Sequence, residues 1–178
     1  MANKKVNFNG FTVINCKTME GEDGYVLSCD LCLNGKKVAH CYDGGFGGGM
    51  DVRPYEGFSY TKLNDVVKTF RAPETDEEFG ITLDFDVESM VCELMDKEDL
   101  AKRIRSLNKM NCGYLEVEKN HNLCSAAYRF PLSWNDATVK NYFTMKIGKD
   151  VVKEFKLYRK DTDLDINDRN VATKDIAC

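Results

Sequence analysis

Proline, histidine and tryptophan are scarce in this chain of 178 residues, which holds three, two and one of them. No apolar run approaches the ~20 residues that a spanning helix requires, so no segment reads as a membrane helix. The opening residues MANKKVNFNG lack the apolar core of an export signal, and the chain is expected to work in the cytoplasm. Internal repeats, low-complexity tracts, a P-loop and a dinucleotide fingerprint are all missing. With only His40 and His121 available, a two-histidine ribonuclease mechanism requires those two side chains to converge. There is no second CxxC to complement Cys29 and Cys32. Because strand positions i and i+3 point to opposite faces, that pair, even with His40 and Cys41, is expected to be buried thiol and no metal centre.

What is present is enough for a core: 43% hydrophobic residues, ten Phe and eight Tyr. The eight cysteines are scattered, as in a protein of a reducing compartment rather than a disulfide scaffold. Charge is uneven. Residues 72–99 hold eleven carboxylates and one lysine, while the whole chain carries −4, so the remainder is basic. Such asymmetry fits a basic face for nucleic acid, an acidic segment for a basic protein groove, or solvated helix N-termini.

Phe11–Cys16, Tyr25–Leu33 and Lys36–Asp43 read as an antiparallel meander turned by Asn34-Gly35, the strongest short-range hairpin signal. Strict alternation from that turn sets Leu31 opposite Val38, Cys29 opposite His40 and Leu27 opposite Tyr42 on a core face. Leu63, Val66, Val67 and Phe70 have helical spacing, closed by Pro73. Phe79–Val87 alternates like a strand. From Val87 a helical stripe runs through Met90, Val91, Leu94 and Met95, and a second helix is expected near Asp96 with Leu100, Ile104 and Leu107. Tyr114–Glu118 and Ala126–Phe130 read as strands, and Ser133-Trp134-Asn135-Asp136 as a cap before a helix with Val139, Tyr142 and Phe143. Gly148 stops that helix and Val151–Tyr158 is a last strand. The expected fold is α+β: a mostly antiparallel sheet with an N-terminal hairpin meander and helices packed on one face, one domain over 1–158, and a polar, loosely ordered tail over 159–178.

Candidate chemistry is thin. Cys29 opposite His40 would make a thiol–imidazole couple. The glycine run from Asp43 to Gly49, flanked by Asp51 and Arg53, could offer backbone N–H groups to a phosphate. His40 and Asp43 are the candidate catalytic residues. Lys36, Lys37 and Arg53 on the hairpin and Lys102, Arg105 and Lys109 on one ridge of the later helix are the candidate nucleic-acid contacts. No cofactor is expected, although Asp84, Asp86 and Glu88 would share a face of an extended strand and could hold Mg²⁺ there.

Leu31 to Ala39, LCLNGKKVA, followed by Asp43-Gly44-Gly45-Phe46-Gly47-Gly48, resembles a family of small proteins carried by phages and bacterial mobile elements. These have a strand, an "LYxDGKKVA" hairpin, a "DxGxGG" turn, a two-part helical segment, a strand pair and a C-terminal helix. The same order runs over residues 8–158, with Asn34 where the family usually has Asp and Phe46 where another residue is common. The chain is also similar in kind to type II anti-CRISPR proteins, some of which act on the guide RNA of Cas9. The resemblance implies an anti-defence protein whose partners are Cas9 and its guide RNA, inhibiting by binding, with or without shortening of the guide. On that expectation the hairpin and glycine turn face the RNA and the acidic segment faces the effector's basic channel. A non-catalytic phage structural or adaptor protein and a stand-alone ribonuclease are the alternatives.

Overall fold

Asn34 and Gly35 both have positive φ, 50° and 82°, which is the two-residue turn that the sequence asks for. The computed structural model describes residues 6–21, 24–76, 80–119 and 126–164. Its elements are β1 (Phe11–Glu20), β2 (Tyr25–Leu33), β3 (Lys36–Asp43), β4 (Asp51–Pro54), α1 (Tyr60–Lys68), β5 (Glu74–Asp76), β6 (Ile81–Leu83), α2 (Val87–Asn108), β7 (Cys112–Lys119), β8 (Ala126–Pro131), α3 (Asp136–Ile147), β9 (Val152–Tyr158) and a 3-10 turn over Asp161–Asp163. All strand pairings are antiparallel, and the fold is α+β with an N-terminal hairpin meander.

The chain divides into two compact units, with the boundary between Glu98 and Asp99 inside α2. The backbone of α2 runs straight through that boundary. One helix stands where two were expected, since nothing between Met95 and Leu100 is a helix breaker.

In the first unit the sheet order is β1-β2-β3-β4. Phe11, Val13, Leu31, Ala39 and Cys41 line one face and are buried against Leu63 and Val67 of α1, Phe70, and Val87, Met90, Val91 and Leu94 of α2. Ser59 accepts from the Lys62 N–H to cap α1. The acidic segment is partly neutralised in place: Lys68 pairs with Asp84 at 2.6 Å, and Arg71 grips Glu93 with both terminal guanidinium nitrogens while lying over Phe85. Asp86 caps the start of α2 by accepting from Ser89 N–H. Glu88 accepts from Met50 N–H. Asp84, Asp86 and Glu88 are thus spent separately and do not form a Mg²⁺ site.

In the second unit the order is β8-β7-β9. Leu115, Val117 and Phe130 pack against Val139 and Phe143 of α3. On the other face Tyr114 and Tyr158 cover Ile104. Asn135, not Ser133, caps α3, accepting from Thr138 N–H at 2.9 Å. Asn135→Ala should therefore lower unfolding free energy by about 1 kcal/mol, read as a shifted urea midpoint, while Ser133→Ala leaves it unchanged. Arg159 donates to Asp136 and to the carbonyls of Leu132 and Trp134. Packing therefore continues past Tyr158 as far as Leu164. Residues 165–178 of the expected tail, and His121, lie outside the described residues.

Candidate functional site

Two β-bulges decide what the first sheet shows to solvent. In β1, Asn15 and Cys16 together oppose Cys29, and Asn15 takes a positive φ of 56°. In β3, one extra residue, Val38, sits between Lys37 (opposite Cys32) and Ala39 (opposite Leu31). The second bulge moves the register by one. Cys29 faces Cys41, Asp30 faces His40 and Ser28 faces Tyr42. The expected Cys29–His40 couple does not exist. The physical reason is burial. Strict alternation would put Ala39 outside and His40 inside, whereas the bulge buries both Val38 and Ala39 completely and leaves the imidazole at the surface, avoiding an unpaired polar ring in the core. Tyr42 moves out for the same reason and is 42% exposed.

The row Ile14, Asp30, His40, Arg53 now crosses all four strands on the face away from the helices. Asp30 is buried at 7% exposure and accepts four hydrogen bonds. Oδ2 takes Lys37 Nζ at 2.6 Å and Asn15 Nδ2 at 2.8 Å. Oδ1 takes Tyr55 Oη at 2.9 Å and His40 Nδ1 at 3.1 Å. The Lys37 ammonium, opposed by burial but joined by Asn15, His40 and Tyr55, holds the Asp30 carboxyl well below the usual carboxylate range. An ionised carboxylate can only accept, so His40 Nδ1 is the donor of this contact and Nε2 is the ring nitrogen turned away from Asp30. Asp30 in turn raises the Tyr55 phenol, keeping it a donor.

Around this centre the face is aromatic and basic. Tyr42 and Tyr55 are exposed beside His40, and Lys17, Lys37 and Arg53 add positive charge. Arg53 pairs with Asp51 at 2.5 Å but stays 72% exposed.

Of the residues proposed from sequence, Lys37, His40 and Arg53 share this face. Lys36 points to the other side, its ammonium 5.0 Å from the Phe58 ring centre. Asp43 is three positions beyond His40, opposite Leu27, and its Oδ1 accepts from Gly45 N–H at 2.8 Å. It is a turn residue that does not meet His40. The glycine run joins β3 to β4. Gly45 has φ +73°, and a Cβ there would sit 3.2 Å from the Gly24 and Tyr25 backbone, so the base of the loop is pinned. With the N–H groups of Gly45 and Met50 already bonded, the loop is a structural turn more than a phosphate cradle.

Lys102, Arg105 and Lys109 belong to the second unit. Lys102 and Lys109 are exposed, but Arg105 is drawn to Asp161 at 3.0 Å and is only 19% exposed, which interrupts the ridge.

Cys29 is buried between two thiols. A hydrogen bond from Cys16 favours its thiolate, yet the bond with Cys41 and burial outweigh it and push the thiol far up. It is an inert core group. Among the described residues no cluster of three His, Cys, Asp or Glu side chains could hold a metal ion, and no helix is long and apolar enough to cross a membrane.

Asn15, Asp30 and Tyr55 were not singled out from sequence. Asp30 had a signal: a lone carboxylate between Cys29 and Leu31 in an apolar strand must find donors or stay unburied. Comparison with protein-family models, curated proteins and solved structures finds no match.

Proposed function

We propose that the open sheet face binds RNA and that the protein is a mobile-element anti-defence factor directed at Cas9 and its guide RNA in the host cytoplasm. The observation that carries the RNA reading is His40, held through Nδ1 by buried Asp30 and paired across the sheet with Arg53. Exposed Tyr42 and Tyr55 give bases a stacking surface, and Lys17 and Arg53 give phosphates a positive one. The choice of Cas9 rests on the resemblance of the hairpin and glycine turn to mobile-element proteins.

The chemistry that this arrangement supports is cleavage by the RNA's own 2′-hydroxyl. His40 Nε2 takes the hydroxyl proton and the 2′-oxygen attacks the adjacent phosphorus. The 5′-oxygen leaves with a proton from water. The products are a 2′,3′-cyclic phosphate and a 5′-hydroxyl end. Asp30 orients the ring and stabilises the imidazolium that forms, and Arg53 faces the charge gathering on phosphate.

The test is a denaturing gel of guide RNA incubated with the protein, alone and with Cas9, read together with DNA cleavage. A shortened guide is expected, with His40→Ala slowing shortening 100-fold or more while the melting temperature stays within a few degrees. An intact guide with blocked DNA cleavage would remove the chemistry and leave inhibition by binding. An intact guide with normal DNA cleavage would overturn the reading.

A further inference from the structure

The second unit carries a cleft that the sheet-face reading does not use. It lies where the outer strand β8 meets α3. Its walls are Tyr128, Arg129 and Ala127 from β8, Trp134 from the turn that follows Pro131, and Tyr142, Phe143 and Lys146 from α3. The volume is about 430 Å³, within the span of roughly 300–1,000 Å³ typical of small-ligand sites.

The lining is chemically one-sided. Trp134 and Tyr142 meet edge to face with ring centres 5.1 Å apart, and Tyr142 meets Phe143 at 5.1 Å and 84°. Rings set at such angles do not stack on one another. Tyr142 is 47% exposed although it is large and aromatic. The charged groups in the wall are both cations. Lys146 Nζ hangs over the rings of Tyr128 and Phe143, 5.8 and 5.9 Å from their centres, while Arg129, opposite Tyr114, belongs to the other face of β8. The nearby carboxylate of Asp136 is turned away, since it binds Arg159 at 2.7 Å.

The geometry points to a nucleobase with its phosphate as the ligand of this cleft: the flat ring against Trp134 and Tyr142, the phosphate at Lys146. Aromatic faces accept any base because every base has a π-face, and the Lys146 ammonium favours one that carries a phosphate over an uncharged aromatic. A free nucleotide and one residue of a single strand share this chemistry. The inference does not need the sheet face, His40 or RNA cleavage.

Trp134 is the only tryptophan of the chain, so its fluorescence reports on this cleft alone. The full chain is titrated with hexa-deoxyadenylate, which lacks the 2′-hydroxyl and cannot be cut by the chemistry proposed above, and separately with AMP. The expected result is quenching by the strand that weakens as salt rises. Tyr142→Ala and Lys146→Glu should each reduce affinity about 10-fold or more, and His40→Ala should leave it unchanged. Quenching by AMP as well marks a free-nucleotide site, and quenching by the strand alone marks a strand site; either supports the proposal. Absence of quenching would overturn it, as would binding that Arg53→Glu abolishes and Lys146→Glu does not. So would a response to an acidic peptide in place of the oligonucleotide, which would make the β8 edge a peptide-docking strand. Tyr142 and Lys146 lie at the surface, and an unchanged circular dichroism melt keeps each variant interpretable.

Discussion

Asp30→Ala unfolds the first unit at markedly lower denaturant, with a loss of about 3 kcal/mol, more than any other single polar substitution in that unit. Four donors converge on this carboxylate, and hydrogen bonds to a charged group contribute about 1.5–3 kcal/mol each before the rehydration of the released donors. Lys37 and His40 recover much of their share because water reaches them, their side chains being 48% and 40% exposed. Asn15 and Tyr55 recover less. Asp30→Asn is no remedy, because an amide nitrogen would be turned toward one pair of donors.

The same cluster sets an acid limit. The folded-state pKa of Asp30 is depressed, so its stabilisation is complete above the unfolded carboxylate value of about 4 and is lost as pH falls below it. Between about pH 4 and 2 the wild-type unfolding free energy should drop more steeply than that of Asp30→Ala. Parallel curves for the two proteins would show that the carboxylate is not held as described.

Gly113→Ala is the second large effect, and it falls on the other unit. Gly113 pairs with Phe130 across β7 and β8. A Cβ at Gly113 would lie 2.4 Å from Phe130 Cζ and 2.8 Å from both Cε atoms. Phe130 cannot yield cheaply. It is 1% exposed, packed against Val139 and Phe143, with the Arg159 guanidinium 5.1 Å from its centre. Overfilling a packed core costs about 1–3 kcal/mol, and this contact belongs at the upper end. The check is a cycle with Phe130→Leu. If the clash is the cause, Gly113→Ala should cost at least 1 kcal/mol less beside leucine than beside phenylalanine. Equal costs in both backgrounds would mean that backbone freedom at Gly113, not the ring, is what alanine removes.

What could be read from sequence was whatever is fixed locally. Asn34-Gly35 had to turn because both positions carry positive φ. Gly148, with φ of 105°, had to end α3. The α+β order followed from changes of period. The bulge at Val38 could not be read in this way, because nothing in Lys37-Val38-Ala39-His40 demands an extra residue until the core has room for both Val38 and Ala39. That single displacement removed Cys29 from His40 and put Asp30 there instead. Tyr55 was out of reach for a similar reason. It comes from the segment after β4, and only the folded sheet carries it back over Asp30. In α2 the apolar stripe of Val87, Met90, Val91 and Leu94 is not continued by Leu100 and Ile104, which at 100° per residue fall on another side of the helix. The shift imitates a helix end in the sequence although the backbone never breaks.

The extra residue in β3 bears on how such a chain can change over generations. Two neighbouring apolar side chains go inward at Val38 and Ala39, so the assignment of every later position in the strand depends on the count of residues before it. Exchange of one side chain for another on the outer face disturbs its neighbours only. A single codon inserted after Ala39 would instead invert the rest of the strand, sending His40 and Tyr42 inward and Cys41 out. Drift on this surface is therefore free in letters and closed in length.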